Sequence, residues 1–246
     1  MSTEGAAAAG GAAEAGGGGP YRAPLARGAR RAPAGDGCLV VGVTGGMASG
    51  KSTVARVLAA SGARLVEADR LGHAVLADPQ ARAELAAAFG PGVLDAAGEV
   101  RRAELGRLAF ASAAALARLN AVSHPRLRAA ARRALDEVLA SGFGGVVVFE
   151  AALLVEWDVG SWCDEVVAVV APAERRREWA AAAHGLTPEQ VEARLALQLP
   201  DEERVRYADR VLANDGSLAE LERRARELAE ALWAGWRARR APGAPD

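Results

Sequence analysis

Lysine is all but missing from this chain of 246 residues. Of its 30 basic residues, 29 are Arg and one, Lys51, is Lys. Aromatic residues are scarce at 4%, so the core has to be built from Ala, Leu and Val. There are two cysteines, Cys38 and Cys163, far apart and without metal-ligand spacing. That excludes a disulfide scaffold and a Cys-rich zinc centre, and it points to a reducing compartment, expected to be the cytoplasm. No apolar run approaches the roughly 20 residues that cross a bilayer, so no membrane partner is expected. The formal net charge is -1. A near-neutral chain argues against nucleic acid as the main partner. Hydrophobic residues at 51% and charged residues at 25% remain, an ordinary globular composition. The length suits one α/β domain with insertions, or two small domains.

Residues 1–36 are mostly Ala, Gly and Pro with no apolar period. Such a segment buries too little surface to offset its ordering entropy, and a disordered tail is expected. It has no apolar h-region for a signal peptide. Arg22, Arg27, Arg30 and Arg31 suit a transit peptide, but Glu4, Glu14, Asp36 and the scarcity of hydroxyl residues argue against one. Residues 37–240 are expected to hold the folded domain and 241–246 a second disordered end. No internal repeat of fixed period is present.

Residues 38–43 form a short Val-rich run bounded by Gly, read as a buried parallel strand. Residues 52–60 read as a helix. Residues 146–149, 165–170 and, more weakly, 210–212 read as further strands, with a short strand-like stretch at 64–66. Amphipathic helices are expected at 103–110 and 125–139. Thr187-Pro188-Glu189-Gln190 and Ser217-Leu218-Ala219-Glu220 are helix starts with capping-box spacing, the second opening a helix to about Trp236. Strands separated by helices predict an α/β fold: a parallel sheet with helices on both faces, in three layers.

Gly45-Gly46-Met47-Ala48-Ser49-Gly50-Lys51-Ser52 fits G-x-x-x-x-G-K-[ST], and Thr53 follows. A strand precedes the motif and a helix follows it, as a P-loop requires. Glycines let backbone N–H groups turn toward phosphate oxygens, and the helix N-terminus adds its dipole. Lys51 is placed on the β and γ phosphates and the Ser52 hydroxyl on Mg²⁺. Arg is too large and planar for that place, which explains the lone Lys. A nucleoside triphosphate with Mg²⁺ is therefore the expected ligand. An Asn-Lys-x-Asp guanine motif cannot exist without a second Lys, which removes the usual GTPase. Size and a possible lid favour a small-molecule kinase over a mechanochemical ATPase.

Other positions stay open on the residues alone. Asp69 follows the second strand, where a carboxylate can take a proton from an acceptor hydroxyl, or can cap the helix after it. Glu150 ends a strand, as the second acidic position of P-loop proteins does, ordering Mg²⁺ or its water. Arg102 could clamp a phosphate or be a solvated charge. His124 before Pro125 reads as a packed or capping residue. Residues 174–177, Glu-Arg-Arg-Arg, could sit on a lid or on a solvated helix face. Trp157, Trp162 and Trp179 could line an acceptor site or fill the core.

Together these pieces resemble the dephospho-CoA kinase family over about residues 38–216. Residues 43–54 are similar to its loop TGGIGSGKSTV. Glu67-Ala68-Asp69 resembles its DAD motif with Glu for the first Asp. Residues 89–102 resemble its FG…LD..GE.DR segment, and 119–125 its LN…HP motif. Glu150-Ala151-Ala152-Leu153-Leu154 stands for its DIPLL or EAALL, and Asn214-Asp215-Gly216 for its NNG. The resemblance implies transfer of the ATP γ-phosphate to the 3′-hydroxyl of dephospho-CoA, completing coenzyme A. It implies Asp69 as base, Lys51 with Gly45 to Thr53 on ATP, and Mg²⁺ at Ser52 and Glu150. It implies Arg102, His124 and Asp69 on dephospho-CoA, Asn214 near the adenine and Arg177 on ATP. A CoA-binding helical insertion at about 70–140 and a lid at about 173–200 follow. A kinase acting on another nucleotide or small molecule is the rival. The chain departs from the family where R-D-G is usual in the lid: Ala182-Ala183-His184-Gly185 lacks that Arg, so the lid contribution must come from Arg175, Arg176 or Arg177, or be weaker. Oligomeric state is left open.

Overall fold

The computed structural model describes residues 30–31 and 37–240. Five strands form one sheet: β1 (Leu39–Thr44), β2 (Arg64–Glu67), β3 (Val146–Glu150), β4 (Glu165–Val170) and β5 (Arg210–Ala213). Their spatial order is β2-β3-β1-β4-β5, and every pairing is parallel. β1 is buried at all six positions because it lies between β3 and β4 with helices on both faces. That is why its sequence is a continuous aliphatic run rather than an alternation.

The two faces carry separate cores. On one, Val41, Val43, Val148, Val167 and Val169 pack against α1 (Lys51–Ala60) and the long final helix α9 (Leu218–Arg239). On the other, Val40, Val66, Val147, Phe149 and Val166 meet Ala131 and Leu135 of α5 (Ala113–Ala140). This is the expected three-layer α/β architecture. Between β2 and β3 run α2 (Gly72–Ala77), α3 (Pro79–Phe89), α4 (Arg102–Ala109) and α5, with their own small core around Leu85, Val93 and Leu105. Between β4 and β5 run α6 (Ala173–His184), α7 (Pro188–Ala196) and α8 (Asp201–Tyr207). Both capping boxes form: Thr187 with Gln190 opens α7, and Ser217 with Glu220 opens α9.

Two expectations change. The helix expected at 125–139 is the second half of α5, which begins at Ala113 and runs through Pro125. An internal proline removes one backbone donor and costs about 3 kcal/mol. Here each half of the helix is anchored on its own core: Leu119 and Val122 pack with the Leu85 cluster, and Ala131 and Leu135 with the sheet. Packing on both sides of the proline outweighs the local penalty. The second change concerns the tail. Residues 1–29, 32–36 and 241–246 lie outside the described residues, but Arg30 and Arg31 sit on the domain. The Arg31 amide donates to the Cys163 carbonyl at 2.8 Å, and its guanidinium reaches Asp164 at 3.1 Å. Arg30 pairs with Asp209 at 2.7 Å and lies over the Tyr207 ring. Asp164 and Asp209 also accept the Val40 and Val166 amides at the starts of β1 and β4. Composition alone cannot reveal such partners.

Candidate active site

β1 delivers the phosphate loop at the C-terminal edge of the sheet, where ligands sit in open α/β folds. The loop turns back on itself through Ala48 (φ 58°) and Gly50 (φ 97°). Gly50 suits the left-handed region; Ala48 is strained there. α1 starts at Lys51 with no side-chain cap and no acid in its first turn. Its first N–H groups are therefore left for an anion.

Four predicted side chains converge beyond the loop. The Lys51 Nζ lies 3.5 Å from Asp69 Oδ2. Ser52 Oγ donates to Glu150 Oε1 at 2.6 Å. Glu150 is buried at the end of β3, and burial raises its carboxyl above the usual range while the Ser52 hydrogen bond and the Lys51 charge act the other way. Asp69 lies inside a 3₁₀ turn, Ala68–Leu71, whose N-cap is Glu67. Its Oδ1 accepts from the Ala152 amide at 3.3 Å. It faces Lys51 and the loop after β3, and caps no helix. Oxygen donors from Ser52 and Glu150, with phosphate oxygens to complete the shell, are the hard ligand set that Mg²⁺ takes. A cation there would also offset the burial of the Glu150 charge.

A cavity of about 750 Å³ opens beside the loop, lined by residues 47–53 together with Arg175, Trp179, Asn214 and Leu218. Asn214 Nδ2 donates to the Ser49 carbonyl at 3.0 Å, so this predicted residue braces the loop from the cavity wall. On the other side of Met47 lies a second cavity of about 260 Å³, lined by Asn120, His124, Leu153 and Gln198 among others. His124 packs edge-on against Trp157, and burial pushes its imidazole down to about 4. Arg102 borders a third hollow of about 280 Å³ across α5, next to His73 and Leu127. Arg102 and His124 thus lie in the helical insertion, in different hollows. Of the tryptophans, Trp157 is buried, Trp162 packs on Phe149, and Trp179 faces the large cavity.

The three consecutive arginines of α6 part company. Successive helical residues point about 100° apart, at 3.6 per turn. Arg175 lines the large cavity and donates to the Gly216 carbonyl at 2.5 Å. Arg176 is 9% exposed and donates to the Met47 carbonyl in the phosphate loop at 3.0 Å. Arg177, expected at ATP, is not brought there: it is exposed and paired with Glu192 of α7. Arg175 and Arg176 take the places facing the loop. A helical wheel of α6 carried the signal that separates the three. Gln198, which accepts from the Met47 amide at 2.9 Å, carried none: it is a lone amide between two leucines, Leu197 and Leu199.

The sequence model of the family described as dephospho-CoA kinase matches residues 39–220. A dephospho-CoA kinase of Geobacter sulfurreducens is 40% identical over 190 residues, covering 77% of this chain and 96% of its own. One of Thermobifida fusca is 40% identical over 196 residues, covering 79% and 96%. Among solved structures, Thermus thermophilus TT1252 is 34% identical with a TM-score of 0.61, covering 79% of this chain and 97% of its own. Dephospho-CoA kinase from Campylobacter jejuni, at 23% identity and TM-score 0.53, shares the fold.

Proposed function

The chain belongs to the dephospho-CoA kinase family, and on that premise we propose that it transfers the γ-phosphate of ATP to the ribose 3′-hydroxyl of dephospho-CoA, the last step of coenzyme A synthesis. The observation that carries this reading is the convergence of Lys51, Ser52, Glu150 and Asp69 at one edge of the sheet, between two cavities.

The loop, Gly45 to Thr53, cradles the phosphates with backbone N–H groups, and Lys51 supplies the mobile charge on the β and γ oxygens. Asp69 receives the 3′-hydroxyl proton as that oxygen attacks the γ-phosphorus, and the bond to the β–γ bridging oxygen breaks to release ADP. Lys51, in reach of both Asp69 and the loop, moves from the carboxylate to the phosphates when these enter. Ser52 and Glu150 hold Mg²⁺, which when bound neutralises phosphate charge. Asn214 sits by the nucleotide. The insertion formed by α2 to α5, with Arg102 and His124, takes the dephospho-CoA side; α6 and α7 form the lid. Two buried free cysteines support a cytoplasmic setting. Among the described residues no helix is long and apolar enough to cross a membrane.

The test is ADP release with dephospho-CoA against adenosine, AMP and pantetheine as acceptors. Turnover is expected with dephospho-CoA. Equal or faster turnover with AMP would overturn the assignment in favour of a nucleotide kinase.

A further inference from the structure

The tip of the phosphate loop is gripped from outside. Both backbone polar groups of Met47 are taken by the segment between β4 and β5: its N–H donates to Gln198 Oε1 at 2.9 Å, and its carbonyl accepts from Arg176 Nε at 3.0 Å. The two gripping side chains are joined to each other, because Arg176 Nη2 donates to the same Gln198 oxygen at 3.0 Å. The remaining arm of the guanidinium, Nη1, pairs with Asp201 at 3.0 Å. Arg176 is therefore pinned on three sides and almost fully buried. Gly46 is what admits it, since a Cβ there would overlap the guanidinium. Next to the gripped residue stands Ala48, a non-glycine residue in the left-handed region. Strained backbone of this kind persists only where its surroundings over-determine it.

The two grips also bracket the lid. Arg176 lies in α6, before the left-handed turn at Gly185, and Gln198 lies just after α7. Chain that leaves the phosphate loop at Arg176 returns to the same residue, Met47, at Gln198.

We propose that Gln198 and Arg176 are positioning residues for phosphoryl transfer: they clamp Met47 so that the Ala48 turn keeps the loop's N–H groups aimed at the donor phosphates, and they anchor both ends of the lid on that one residue. The proposal rests on the reading of this loop as the ATP site. Neither residue transfers a proton or meets the reacting oxygen, so their effect falls on nucleotide affinity.

Gln198→Leu keeps the bulk and removes the shared acceptor. The dissociation constant for ADP, measured calorimetrically without acceptor, is expected to rise about tenfold or more, the scale of losing a hydrogen bond to a charged group. The KM for ATP rises with it, while kcat stays within about threefold, as expected when ground-state and transition-state binding are lost equally. Arg176→Lys keeps the charge, loses the fork and weakens ADP in the same direction. Because both side chains hold one residue and bond to each other, the double variant is expected to be little worse than the poorer single one. Wild-type ADP affinity in either single variant, strictly additive losses, or a fall in kcat at unchanged KM would each overturn the clamp. If the wild-type protein leaves dephospho-CoA untouched while Gln198→Leu still loses ADP, the clamp stands and the acceptor assignment fails.

Discussion

The phosphate loop and the segment between β4 and β5 that grips it are built by opposite means. The loop works through backbone: N–H groups, a left-handed turn and a helix start without a cap. Its residue types are dictated at the two outer glycines, the lysine and the hydroxyl residue, and a linear motif captures them. The segment between β4 and β5 works through side chains on α6, where a one-residue shift changes the task by about 100°. Arg175 faces the cavity, Arg176 holds the loop and Arg177 pairs with Glu192. A site built from backbone can be read along the chain; a site built from one helix face can be read only around it. The contrast also shows how the missing lid arginine can be borne. Trp179 and Ala183 line the cavity on the same face of α6 as Arg175, one and two turns further on, so positive charge enters earlier on that face.

The sharpest break of this comparison is at Asp69, on the loop side. Asp69→Asn keeps size and an acceptor oxygen but cannot take the proton, so kcat is expected to fall about 10²–10⁴-fold. Melting temperature and ADP affinity should stay at wild-type values; normal turnover would end the base assignment and bring Glu67 forward. Next is Lys51→Ala, with a loss of about 10²–10³ in kcat, the scale of one preorganised charge-stabilising group. Lys51→Arg should fail as well, since the fork does not fit the loop; near-normal turnover in that variant would refute the account of the single lysine. Where the two regions touch, Gly46→Ala drives a methyl into the Arg176 guanidinium. A loss of about tenfold in ADP affinity is expected, on the scale of one charged hydrogen bond, read by calorimetry. A smaller effect belongs to His124, whose imidazole titrates near 6.5 when unfolded and about 4 when folded. Its burial carries no penalty above 6.5. As pH falls from 6.5 toward 4, the unfolded chain takes the proton and the folded one does not, so stability drops. The fall in melting temperature between pH 7.5 and 5 should be shallower in His124→Gln. Smallest of all is Arg177→Ala. An exposed pair with Glu192 contributes about 0.5 kcal/mol or less, and kcat should stay within about twofold; a large loss of kcat would return Arg177 to the ATP.

Much of this was legible before any coordinates. β4 spans the same six residues in sequence and structure, and both capping boxes close as their spacing says. Local rules govern these features: a buried parallel strand is a solid Val run, and a capping box is four consecutive residues. The convergence of Lys51, Ser52, Asp69 and Glu150 was also expected, because each stands at a strand end or loop fixed by the sheet. What escaped is long-range and made by side chains. Pro125 signals a helix end locally, and two separate cores overrule it. Arg30 and Arg31 look like tail until Asp164 and Asp209 appear at the bottom of the sheet. The ion pair of Arg204 with Glu156, almost wholly buried at 2.8 Å, joins α8 to the loop after β3 without any sequence signature. Gln198 finds its partner some 150 residues away.

The strand order has a consequence for the order of assembly. β1 has only β3 and β4 as neighbours, and β2 has only β3. Leu39 pairs with Val146, so the first two strands emerge from the ribosome with nothing to pair with until the whole helical insertion has been made. During that interval β1, buried at all six positions in the fold, stays unpartnered, and sheet closure carries the slow kinetics of pairing distant residues. The helices of the insertion, whose small core is local, are able to form first. A nascent chain stalled before residue 146 should therefore carry helical structure and no sheet, and the phosphate loop should take shape only when β3 arrives.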